Sequence, residues 1–170
     1  VCIVTGAAQG IGRGVALRLA SEGGKIVMAD FSPLVEDVLA EIIANGGHAT
    51  TIQADLETYQ GAQDTVNKAL DIYGRIDVLV NNVGGAIWMK PFVSFSEEEI
   101  NREVSRSLFP TLWCCHAVLP PMIEQQSGGA IAVVSSPHAF VPVPSSMAYN
   151  MAKAAIDHMA RTAAIELTPH

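Results

Sequence analysis

The chain has 170 residues, of which 49% are hydrophobic and 16% charged, and carries a formal net charge of −7. That length and apolar content suit one globular domain with a substantial core and exclude a disordered chain. Ten Lys and Arg stand against 17 Asp and Glu, with no basic run; this argues against a nucleic-acid partner, because phosphate binding needs clustered cations.

Short apolar runs alternate with longer amphipathic segments. Val1–Val4 reads as a buried strand. Ile11–Glu22 reads as a helix, ended by Gly23 and Gly24. Lys25–Asp30 is a second strand. A helix over Pro33–Ala44 has proline in its first turn and is stopped by Asn45, Gly46 and Gly47. Ala49–Gln53 is a third strand, Tyr59–Tyr73 a helix and Ile76–Val80 a fourth strand. A long helix begins near Ser96, where Ser-Glu-Glu-Glu resembles a capping box. It runs to about Glu124, with an interruption expected at Pro110. Ala130–Val134 is a fifth strand, and a last helix starts near Ser146.

Near-continuous apolar strands alternating with helices predict an α/β fold: a Rossmann-type, doubly wound parallel sheet in three layers, as a single domain over residues 1–170. Ligands of such sheets bind outside the carboxyl ends of the strands. No apolar run approaches the length that crosses a bilayer, so no membrane partner is expected. Cys2, Cys114 and Cys115 fit neither a zinc site nor a disulfide framework. His48, His116, His138, His158 and His170 show no metal-ligand spacing, and no metal is expected. A reducing, cytoplasmic setting is the simplest expectation. With a strand at residue 1 and a helix running almost to His170, we expect the sequence to be part of a longer chain.

The segment from Thr5 to Gly12, Thr-Gly-Ala-Ala-Gln-Gly-Ile-Gly, lies where the first strand turns into the first helix. Gly6 permits a tight turn, Gly10 lets the backbone approach a pyrophosphate, and Gly12 allows close helix–strand packing. The helix N-terminus then offers free N–H groups and partial positive charge to phosphates. A glycine-rich turn without a ligand is the bland alternative; the strand–turn–helix context favours the dinucleotide loop. Asp30 ends the second strand about 20 residues beyond the loop, where an acid accepts hydrogen bonds from ribose hydroxyls. A 2′-phosphate there meets like charge. Phe31 follows rather than an arginine, and Gln9 adds no cation, so NAD is favoured over NADP. A solvated strand-end acid is the alternative.

Tyr149 and Lys153 are spaced i, i+4 at the start of the last helix and share one face. A phenol is too weak an acid to act as a base at neutral pH unless its anion is stabilised, which a nearby ammonium and the charge of an oxidised nicotinamide would do. Ser136, thirteen residues before Tyr149 at a strand end, would hydrogen-bond the reacting oxygen. Tyr-x-x-x-Lys alone arises by chance; together with Ser136 it is far less accidental.

These residues in this order resemble the short-chain dehydrogenase/reductase family. Thr5-Gly6 with Gly10-Ile11-Gly12, Asp55-Leu56 after the third strand, Asn81-Asn82-Val83-Gly84 after the fourth, Ser136, and Tyr149 with Lys153 all match, over essentially the whole chain. The resemblance implies Tyr149 as catalytic acid/base and Lys153 as its modulator and nicotinamide-ribose ligand. It implies Ser136 as stabiliser of the substrate oxygen, Asp55 near adenine, and Asn82, Val83 and Gly84 lining the cofactor. It also implies a homotetramer or homodimer, for which Ala155, Met159 and Ala163 suit an interface and core packing equally.

Two departures stand out. Many family members carry a fourth catalytic residue, an Asn in the long helix, which helps hold a kink and a proton-relaying water; Ser107 occupies that place. Pro110 cannot donate to the carbonyl of Arg106, so we expect it to make the kink and a freed carbonyl near Arg106–Ser107 to hold the water, with an inert Ser107 as the alternative. Secondly, the strands and substrate lid that usually follow the Tyr–Lys helix are missing after His170.

Asn81–Phe92, Arg106–Cys115 and Ala54–Tyr59 resemble a group within the family that oxidises cis-diol carboxylates formed by benzoate dioxygenases; Pro137–Met147 resembles it less well. The resemblance implies NAD-dependent oxidation of a 1,2-dihydroxycyclohexa-3,5-diene-1-carboxylate to a β-keto acid that loses carbon dioxide and aromatises to a catechol. A carboxylate substrate wants a cation, and Arg106 and Lys90 are the candidates, though both residue types are more often at a surface. His138 and Met147 would flank the substrate, on loop position alone. Trp88 and Trp113 read as packing. The competing readings are another family reaction on a secondary alcohol or 3-oxoacyl substrate, and a non-catalytic dinucleotide-binding regulator.

Overall fold

A computed structural model describes residues 1–168. Five parallel strands form one sheet in the order β3-β2-β1-β4-β5. They are β1 (Cys2–Thr5), β2 (Lys25–Asp30), β3 (His48–Gln53), β4 (Val78–Asn81) and β5 (Ala130–Val133). The helices are α1 (Gly10–Ser21), α2 (Val35–Ala44), α3 (Tyr59–Tyr73), α4 (Glu97–Glu124) and α5 (Met147–Leu167). Single 3₁₀ turns occupy Phe92–Ser94 and Pro137–Ala139. The doubly wound parallel sheet expected from the apolar pattern is therefore present. Among the described residues no helix is long and apolar enough to cross a membrane.

Strand residues alternate between two cores, as the pleat requires. Ile3, Val27, Ala29 and Leu79 face Ala62, Val66, Cys114 and Val118 of α3 and α4. Cys2, Val4, Ile26, Met28 and Val80 face Ala16, Ala20, Val38 and Ile42 of α1 and α2. Each fully buried aliphatic side chain stabilises the fold by roughly 1.5–3 kcal/mol relative to exposure. The chain order reverses at β1, between β2 and β4, which opens a crevice over the carboxyl ends of β1 and β4.

Several boundaries differ from the sequence pattern for local reasons. α2 begins at Val35 rather than Pro33, because Ser32 caps a preceding turn: its Oγ accepts from Leu34 N and its carbonyl from Val35 N. β4 begins at Val78, although Ile76 is already fully buried. The largest correction concerns α4, which runs unbroken for 28 residues through Pro110, Pro120 and Pro121. Pro110 withholds one N–H from the Arg106 carbonyl without interrupting the helix. The capping box is real: Glu99 N donates to Ser96 Oγ at 3.3 Å and Ser96 N to a Glu99 carboxylate oxygen at 2.8 Å.

Candidate active site

The turn after β1 is pinned from both sides. Gly6 N donates to the Ala29 carbonyl at 2.8 Å. Asn82 Nδ2 donates to the carbonyls of Thr5 and Gly6, each at 3.1 Å, and Asn82 N donates to Thr5 Oγ1 at 2.9 Å. Gly6 and Gly10 adopt φ of 64° and 57°, where a side chain is strained. A Cβ on Gly12 would stand 2.1 Å from the Gly6 carbonyl oxygen, whereas one on Gly10 would meet nothing within 4 Å. Gly12 therefore serves packing and Gly10 keeps the crevice side open. Gln9 caps α1 with no side-chain hydrogen bond, and the first turn holds no acid, so the free N–H groups and the helix dipole face outward.

Asp30 sits at the rim of this turn. Its two carboxylate oxygens accept from Ala8 N and Ser32 N, each at 2.9 Å. The crevice has a volume of about 530 Å³ and is lined by Gly6, Gln9, Gly10, Ile11, Asp30, Phe31, Asp55, Leu56, Asn82, Val83 and Gly84. Gly12 lies behind it. Leu56 is otherwise packed into the core, while Asp55 is exposed and accepts from Glu57 N at 3.0 Å.

Beyond β5, Lys153 lies over the Tyr149 ring, and Ser136 reaches that ring through His138. Lys153 is 3% exposed and its Nζ donates to the Val134 carbonyl at 3.0 Å. It lies 5.9 Å from the Tyr149 ring centroid. Burial pushes its pKa below the ordinary lysine value. Ser136 Oγ accepts from His138 N at 3.2 Å and lies 3.2 Å from His138 Nδ1. The His138 ring packs edge-on against Tyr149, with centroids 5.2 Å apart. His138 thus stands beside the serine and tyrosine.

Ser107 is fully buried, and its Oγ donates to the Gly85 carbonyl at 3.3 Å. The Ser107 carbonyl oxygen and Lys153 Nζ lie 3.6 Å and 3.3 Å from the point where a Cβ on Gly84 would stand. A backbone oxygen of α4 and the lysine therefore approach the same glycine.

The two candidate substrate cations have different surroundings. Lys90 is ion-paired to Glu99 at 2.6 Å and lies over the Phe95 ring, so its charge is already partnered. Arg106 lines the crevice together with the glycine turn and Asp55.

Thr5, the first residue of the glycine motif, also joins β1 to the Asn82 turn through its Oγ1. Two contributors escaped the sequence reading. Arg102 lines the crevice and pairs with Glu57. Glu103 is fully buried on α4 and accepts from Ile87 N, at 3.0 and 3.1 Å to its two oxygens, and from Trp88 N at 3.2 Å. A carboxylate on the buried face of an amphipathic helix, one turn before Ser107, was the available signal. Burial pushes the Cys114 and Cys115 thiols up to about 12 and about 11, which makes neither a nucleophile at neutral pH. Among the described residues no cluster of His, Cys, Asp or Glu could hold a metal. His170 lies outside the described residues.

A family model described as short chain dehydrogenase matches residues 1–170. The chain belongs to the short chain dehydrogenase family. Over 135 residues it is 64% identical to a 1,6-dihydroxycyclohexa-2,4-diene-1-carboxylate dehydrogenase of Acinetobacter baylyi, covering 79% of this chain and 52% of that protein. A Pseudomonas putida protein of the same name is 53% identical over 135 residues, covering 79% of this chain and 50% of that protein. The chain thus spans about half the length of these curated relatives. Among solved structures it resembles acetoin dehydrogenase from Enterobacter cloacae, with a TM-score of 0.93, 34% identity, and coverage of 100% of this chain and 68% of that one. It also resembles a metagenomic short-chain oxidoreductase in complex with NADP, with a TM-score of 0.94, 31% identity, and coverage of 99% and 76%.

Proposed function

We propose that this member of the family oxidises a cis-dihydrodiol carboxylate with NAD, giving a β-keto acid that loses carbon dioxide to form a catechol. The carrying observation is the buried Lys153 beside Tyr149, with Ser136 linked to the same ring through His138, in a chain 64% identical to a relative named for that substrate class. The glycine turn fits a dinucleotide: Gly10 leaves open space, and the uncapped α1 N-terminus faces it. NAD supplies the hydride acceptor. Asp30 places a carboxylate where a 2′-phosphate of NADP would bring like charge, which favours NAD.

The chain's own residues divide the remaining work. Ser136 Oγ donates to the substrate oxygen and holds it toward Tyr149. Tyr149 Oη takes the hydroxyl proton, and the Lys153 ammonium stabilises the phenolate. Val134, by accepting from Nζ, fixes the lysine in that place. The Ser107 carbonyl oxygen, near Lys153 at Gly84, is placed to accept a hydrogen bond from a water through which the lysine would exchange its proton with solvent. Decarboxylation follows from the β-keto acid itself and asks for no further residue.

Absorbance of reduced nicotinamide should rise with a cyclohexadiene cis-diol carboxylate and NAD, faster than with NADP, neutral diols or simple secondary alcohols. Equal turnover of simple secondary alcohols would favour another family reaction instead. No turnover of any of them, with dinucleotide binding intact, would favour a regulator.

A further inference from the structure

We infer that Arg106 is an anion-binding residue for the diphosphate of the dinucleotide. This rests on the dinucleotide reading above and assigns the residue to the cofactor rather than to the substrate carboxylate.

The side chains lining the crevice carry an acidic excess. Asp30, Asp55 and Glu57 stand against Arg102 and Arg106. Arg102 is spent on Glu57. Arg106 is half-buried and makes no ion pair among the described residues. A dinucleotide diphosphate brings two further negative charges into this crevice. The α1 N-terminus offsets about half a charge; neither Gln9 nor any other residue of the Gly6–Gly12 turn carries a cation. Arg106 is therefore the one uncommitted full positive charge on the crevice wall among the described residues.

Its position suits that role. The neighbouring residue, Ser107, is fixed against Gly84 and Gly85, so Arg106 emerges from α4 beside Val83 and Gly84, facing the glycine turn across the crevice. A guanidinium is planar, permanently charged and binds phosphate oxygens through two parallel N–H donors. Its half-buried state reduces solvent screening compared with a surface arginine.

The test measures binding without turnover. Titrations of the purified protein with NADH, ADP-ribose and adenosine, by fluorescence or calorimetry, are compared with those of R106Q and R106K, with circular dichroism to verify folding. The inference expects R106Q to weaken NADH and ADP-ribose together by about tenfold or more, the range for a hydrogen bond to a charged group. Adenosine, which has no phosphate, should be unaffected, and R106K should recover part of the loss. Unchanged ADP-ribose binding in folded R106Q, with a raised KM for the diol acid alone, would overturn the inference and return Arg106 to the substrate. Failure of the unsubstituted protein to bind NADH or NADPH would overturn the dinucleotide reading itself, and this inference with it.

Discussion

Replacing Glu103 with Ala should loosen the loop that follows β4. Glu103 has no solvent exposure, and its carboxylate is the acceptor for the N–H groups of Ile87 and Trp88. A hydrogen bond to a charged group contributes about 1.5–3 kcal/mol. Removing two such bonds gives an upper figure of about 6 kcal/mol by the same principle. Two effects reduce it. Ile87 is partly exposed, so water reaches its freed amide, and the alanine variant no longer buries a charge. A loss of about 2 kcal/mol is the working figure, equivalent to roughly 4–8 °C in Tm for a chain of this size. E103Q keeps one acceptor oxygen and the packing volume, and should lose less than half of that. The loop joins Gly84 and Gly85 to Lys90, so its release should also raise KM for substrate more than it changes Kd for NADH. Thermal unfolding and steady-state kinetics on the two variants measure both effects. An E103A protein with unchanged Tm and unchanged KM would show that the clamp does not hold the loop.

Three glycine and lysine substitutions probe the rest of the site. G12A places a Cβ 2.1 Å from the Gly6 carbonyl oxygen; it should cost about 1–3 kcal/mol of stability and weaken NADH binding in a titration. G84A adds a Cβ 3.3 Å from Lys153 Nζ at a φ of 140°. It should lower kcat while leaving NADH affinity less affected, because the added atom intrudes between lysine and the Ser107 carbonyl. K153M should abolish turnover and change the pH dependence of stability. Burial lowers the folded-state pKa of Lys153 below 10.5. Between that lowered value and 10.5 the unfolded chain binds more protons, so this group's contribution makes stability rise with pH and fall as pH drops. Stability of the unsubstituted protein should therefore gain on K153M as pH rises from neutral toward 10, read from denaturant midpoints; parallel curves would contradict the burial effect.

What was legible in the sequence was whatever local spacing dictates. The glycine turn, Asp30 at a strand end, and Tyr149 one helical turn before Lys153 are short-range patterns, and the structure positions each as its spacing implies. The capping box at Ser96 belongs to the same class. Properties that depend on how a helix is rotated against the sheet were not legible. The side of the site on which Arg106 stands follows from the packing of α4 through Ser107 and Cys114. Glu103 reads as an unremarkable acid until its face is seen to be buried. The pairing of Lys90 with Glu99, nine residues on in α4, is likewise set by how the loop folds back on that helix. Pro110 was read as an interruption because proline removes one backbone bond, but α4 is held by tertiary packing over 28 residues and tolerates that loss.

The most direct test is to supply the purified protein with NAD and a cyclohexadiene cis-diol carboxylate, and to measure reduced nicotinamide, carbon dioxide and catechol together. The account predicts equal amounts of all three, with none formed by the Y149F variant although it still binds NADH. Reduced nicotinamide without carbon dioxide, or turnover that survives loss of the Tyr149 hydroxyl, would contradict it.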